Sequence, residues 1–105
     1  MAWLMLLVAG IFEVVWAVAM KQSDGFSRLW PSVITLVGMA ASFVLLAGAM
    51  RSIPLGTAYT IFTGIGAVGA FVVGISLLGE QVNAMRVTAA VLIVCGLVMM
   101  KLSAD

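Results

Sequence analysis

The sequence has no histidine, one cysteine, one tyrosine, and only nine charged side chains in 105 residues. Without His, and with Cys95 alone, it can form neither an internal disulfide nor a Cys/His metal cluster. Charged residues make up 9% of the chain, where a soluble domain carries about 25%. That is too little polar surface for a soluble protein of this length. A formal net charge of +1 provides no basic face for nucleic acid. No metal, no cofactor and no nucleic-acid partner are expected. What is present is apolar: 65% of residues are hydrophobic. A bilayer takes about 20 apolar residues per helix, so four spans use roughly 80 residues and leave the rest for loops. Nothing remains here for a soluble second domain, a nucleotide-binding unit or a long receptor loop. The expected class is an all-α membrane protein with four transmembrane helices in a single domain over 1–105.

The few charges punctuate the chain, and the runs between them are the spans. These are expected at about 2–20, 31–50, 55–78 and 85–101. Pro31 suits the first turn of the second helix, and Gly79 reads as the C-terminal cap of the third. The connection Arg51-Ser52-Ile53-Pro54 is so short that spans two and three are expected to be antiparallel neighbours. The first run carries a small-x-small cue at Ala17-Val18-Ala19, but no Lys or Arg precedes it and Glu13 interrupts it. We therefore read it as a retained span rather than a signal peptide.

Span three holds Gly56, Gly64, Gly66, Gly69 and Gly74, with small-xxx-small spacing at Gly66/Ala70 and Ala70/Gly74. Two readings stand: close helix packing, or a bend around Gly64 and Gly66 that lets half of the helix move. Four spans put both termini on one side with Arg51 and Lys101, leaving Lys21, Arg28 and Arg86 opposite. Three against two is almost no positive-inside bias. Either the chain simply has few charges to bias, or it inserts in both orientations. Four short helices also do not readily enclose an aqueous path, so an oligomer is expected. An antiparallel pair would supply inverted symmetry of the kind transporters build within one chain.

Glu13 is the one ionisable residue well inside a span, eleven residues beyond Ala2 and seven before Met20. An acidic residue near a helix centre costs about 2.5–3.5 kcal/mol on insertion scales, and the default expectation for such a group is function. The bland alternative is a carboxyl that merely bonds to a neighbouring helix. With no Lys or Arg in its own span, it is a natural site for a proton or a substrate cation, in competition. Gly10 and Ala17 flank it on one helical face, and Trp16 shares that face. Ser42 is the polar residue of an apolar stretch in span two, and Tyr59, Phe62, Thr63 and Gly66 form a stripe on span three. Trp16, Ser42, Tyr59 and Thr63 are the donors available to Glu13, and aromatic faces also favour a cation. Aromatics at this spacing are otherwise packing or lipid-facing residues. Cys95 reads as a small apolar filler, and Trp3 and Trp30 as interfacial residues.

Gly10-Ile11-Phe12-Glu13-Val14-Val15-Trp16-Ala17, with Lys21, Gly25-Phe26-Ser27-Arg28 and Pro31-Ser32, closely resembles the small multidrug resistance family. So do Ser52-Ile53-Pro54-Leu55-Gly56-Thr57-Ala58-Tyr59 and Thr63-Gly64-Ile65-Gly66-Ala67. The resemblance covers essentially the full chain and is strongest to the guanidinium-exporter subtype. It implies a four-helix protomer in an antiparallel, dual-topology homodimer of the bacterial inner membrane. It also implies proton-coupled export, with the two Glu13 carboxylates binding either protons or one substrate cation, and helix four supplying much of the dimer contact. Trp16, Ser42 and Tyr59 match pocket positions of that subtype, and Gly10 matches the small residue one turn before the acid. Phe62 departs from the pattern, since the family usually has Trp there, whose indole N–H helps to orient the glutamate.

The function expected is therefore proton-coupled antiport of guanidinium and small guanidinyl cations, by a transporter and not an enzyme, with lipid and a second copy as its other partners. The alternative within the family is export of quaternary ammonium and other lipophilic cations, which Phe62 leaves open. From other classes come a small dual-topology ion channel, which needs no titratable acid at midplane, and a non-transporting accessory subunit.

Overall fold

The computed structural model describes residues 2–104. Four helices follow in order: α1 (Ala2–Gln22), α2 (Leu29–Ala49), α3 (Leu55–Leu78) and α4 (Ala84–Ala104). Each is long and apolar enough to cross a bilayer, and backbone groups within such a span must bond internally, which a continuous helix does. Pro31 falls in the first turn of α2, as expected. Gly79 closes α3 in the left-handed region at φ 69°, a conformation glycine adopts without steric cost. Beyond it the Glu80 amide donates to the Gly74 carbonyl at 3.0 Å.

The turn between α1 and α2 is tightly organised. Ser23 is fully buried; its hydroxyl donates to the Met20 carbonyl at 2.6 Å and accepts from the Phe26 amide at 3.0 Å. The Ser23 carbonyl also accepts from the Ser27 and Arg28 amides. Asp24, Gly25 and Phe26 all take positive φ, which reverses the chain within a few residues.

The packing order differs from the chain order. α1 sits between α2 and α3, packs most extensively on α2, and touches α3 along a second face. Despite their short connection, α2 and α3 barely meet, so the expectation that they are packed neighbours does not hold. The 51–54 link carries the chain past the end of α1: Ile53 is buried and joins the cluster of Leu6, Ala9, Leu46, Ala49, Ala58, Ile61 and Phe62. α4 packs chiefly on α3, and among its described residues none is buried. Cys95, expected as a filler, is exposed on it. At one end the Lys101 ammonium lies 4.6 Å from the centre of the Trp3 ring, linking α4 to the start of α1.

Candidate functional site

α1 presents Glu13 toward α3, where small residues make room for it. A methyl group built at Gly66 would run into the Glu13 carboxyl, and one at Gly69 into Val14. The reciprocal contact is at Gly10, against which Ile65 packs. The glycines of α3 therefore do a definite packing job, and the helix through Gly64 and Gly66 is uninterrupted. Gly64 faces the other way, where Leu97 of α4 fills the space over it.

Glu13 Oε1 is buried with no hydrogen-bond partner, and the same is true of Trp16 Nε1 three residues on. Buried polar groups are nearly always bonded. A carboxylate acceptor and an indole donor therefore lie buried and unbonded three residues apart on one helix. Neither bonds to the other.

The remaining residues expected here divide. Ser42 is fully buried on α2, in a stripe with Thr35, Gly38, Leu46 and Ala49. Its hydroxyl donates to the Ala9 carbonyl of α1 at 2.8 Å, not to Glu13. Phe62 is almost completely buried and Tyr59 more than half exposed; their rings stack, 6.3 Å apart and 28° from parallel. Phe62 also lies 6.2 Å from Phe43, and Phe43 meets Trp16 edge-on at 6.3 Å. Trp16, Phe43, Phe62 and Tyr59 thus form one aromatic run across three helices. Phe43 was missed in the sequence, where its neighbour Ser42 drew the attention. Two residues beyond Ala41 in a largely apolar span, it gave no signal beyond being aromatic.

Thr63 is exposed and does not share the Phe62 and Gly66 side of the stripe. It lines, with Tyr59, Gly64 and Leu97, an apolar groove of about 850 Å³ between α3 and α4. Glu13 is not in the wall of that groove. Chemistry and volume are separated in a single chain.

In this four-span protein an acid packs against glycines of α3, beside an aromatic run across three helices. A family model described as Small Multidrug Resistance protein matches residues 1–94. The chain belongs to the small multidrug resistance family. Among curated members, the "Guanidinium exporter" of Escherichia coli strain K12 is 57% identical over 103 residues, covering 98% of each chain. Proteins of the same name from Yersinia pseudotuberculosis and Salmonella typhimurium are each 55% identical, over 103 and 104 residues. The former covers 98% of this chain and 99% of the relative, the latter 99% of both. Family membership and the four apolar helices make this a multi-pass protein of the bacterial inner membrane.

Proposed function

We propose that this chain exports guanidinium and small guanidinyl cations in exchange for protons, as an antiparallel, dual-topology homodimer of a single four-helix domain. The observation that carries the reading is Glu13: an ionisable carboxyl inside a span, its Oε1 buried and unbonded against Gly66. The name shared by the full-length relatives supports the substrate.

A guanidinium ion is planar, with N–H donors around its edge, and a carboxylate accepts two of them in parallel. A proton and the cation compete for the same oxygens, so loading one requires release of the other. In the dimer two copies of Glu13 face a single cation, with Gly10, Trp16, Ser42, Tyr59, Phe62 and Thr63 around it. The uncovered α4 supports a partner chain there, and lipid covers the rest. Gly64 and Gly66 are the hinge of α3. The exchange is transport, without bond-making in the substrate.

One observation favours a second reading. The aromatic run through Trp16, Phe43, Phe62 and Tyr59 has no donor at Phe62, and aromatic faces also attract quaternary ammonium ions. Current recordings on supported membranes with guanidinium and tetrapropylammonium separate the two. Guanidinium current above the tetrapropylammonium current is expected. Transport of tetrapropylammonium with none of guanidinium would replace the first reading by the second.

A further inference from the structure

We propose that an anionic phospholipid docks between α3 and the first half of α4, its phosphate on Arg86 and an acyl chain in the groove beneath. The site is separate from Glu13, and the inference does not depend on the proposed transport reaction.

A second, smaller groove of about 240 Å³ lies between the two helices. Its walls are apolar: Ala67 and Phe71 come from α3, and Ala89, Ala90 and Ile93 from α4. The α4 positions follow Arg86 at three, four and seven residues, so all of them share one face of the helix. At the helical rise that face runs about 10 Å along the axis. Alanine at 67, 89 and 90 leaves a furrow that larger side chains would close. Among the described residues lining it, only Arg86 is charged. It stands in the first turn of α4, at the end of a span, where headgroups lie.

The chain supplies no counter-charge there. Among the described residues no carboxylate pairs with the Arg86 guanidinium. Glu80, the acid nearest to it in sequence, is folded back on α3, where a methyl group built at Gly74 would meet its carboxyl. Asn83 accepts from the Arg86 amide at 2.9 Å and so fixes the first turn of α4 rather than its side chain. Guanidinium and phosphate form paired, charge-assisted hydrogen bonds, and basic pockets between spans recognise anionic headgroups. A free anion would match the charge and leave the groove uncovered. A neutral chain would fill the groove and leave Arg86 without a partner. An anionic phospholipid does both, whereas in phosphatidylethanolamine the ammonium competes with Arg86 for the phosphate.

Native mass spectrometry of the purified full chain, offered phosphatidylglycerol and phosphatidylethanolamine in equal amounts, tests this. The unmodified chain is expected to retain phosphatidylglycerol preferentially. Arg86→Gln is expected to lower that preference about 5-fold, the scale of one basic residue at an anionic surface. Arg86 is exposed, so the helix content should not change. Arg86→Lys keeps the charge and is expected to keep most of the preference. A preference that ignores Arg86→Gln overturns the proposal.

Ala90→Leu fills the groove with Arg86 in place, and is expected to reduce phosphatidylglycerol retention. If it instead splits a dimer and leaves lipid retention unchanged, a second copy occupies the groove and the proposal is overturned. Inorganic phosphate in excess is expected to leave the bound phospholipid in place. Displacement by phosphate would reduce the site to a simple anion contact, and overturns the proposal as well.

Discussion

α1 and α4 are alike in sequence and opposite in setting. Their apolar windows have mean hydropathies of 2.2 and 1.9, yet 22% of the first is buried within the chain and none of the second. α1 is gripped from both sides: by Ser42 and Gly38 of α2, and by Ile65 and Gly66 of α3. α4 rests mainly on α3, over an open groove, and reaches α1 only at its end, where Lys101 lies over Trp3. Lipid tails are as apolar as Leu, so hydropathy does not drive one helix onto another; close approach and hydrogen bonds do. α1 and its neighbours have both. α4 keeps Gly96, beside which nothing lies within 4 Å, and so retains an unused contact surface.

The largest effect that would break this contrast is at Gly66. Gly66→Leu pushes a side chain into the Glu13 carboxyl, and overpacking of that kind costs about 1–3 kcal/mol. Transport should be abolished and the thermal midpoint in detergent should fall. Wild-type transport by this variant would show that the α1–α3 contact does not shape the site. Gly96→Leu is the matched change on α4. It meets open space within one chain, so the protomer should keep its helix content. If a second copy covers α4, dimer yield on size-exclusion chromatography should drop with transport. An unaltered dimer would put the partner contact elsewhere.

A smaller effect concerns selectivity. Phe62→Trp adds an N–H donor to the aromatic run and thickens its wall, so the ratio of guanidinium to alkylguanidinium current should rise. An unchanged ratio would mean that Phe62 does not bear on the pocket. Smallest is Trp3→Leu, which removes the aromatic face under Lys101. A cation–π contact at an exposed site is worth about 0.5–1 kcal/mol. The expected result is a slightly lower thermal midpoint with transport retained; a large loss would make this contact the main anchor of α4.

The helices themselves were legible because charges and turn residues interrupt apolar runs of membrane length. α3 was placed at its observed ends, and the other spans within about three residues. Glu13 stood out because an acid is costly where it lies. The neighbour relations were not legible. In a soluble helix one apolar stripe marks the inner face, whereas a membrane helix is apolar all round and carries no such mark. A short link suggested that α2 and α3 pack together, but α1 occupies the space between them. Ser42 was visible as a polar residue with a choice of acceptors, and spacing along one helix could not show that a carbonyl on α1 takes its proton. Phe43 and Thr63 depended in the same way on helix rotation, which hydropathy leaves undetermined.

The central claim is that Glu13 alternately holds a proton and a guanidinium-type cation. Its most direct test is guanidinium uptake into proteoliposomes under an imposed proton gradient, with unmodified chain and Glu13→Gln reconstituted in equal amounts. Glu13→Gln keeps the shape of the side chain and removes its titrating charge. Gradient-driven uptake by the unmodified chain, and none by Glu13→Gln, is the predicted result. Proton-driven uptake that survives in Glu13→Gln would contradict the account.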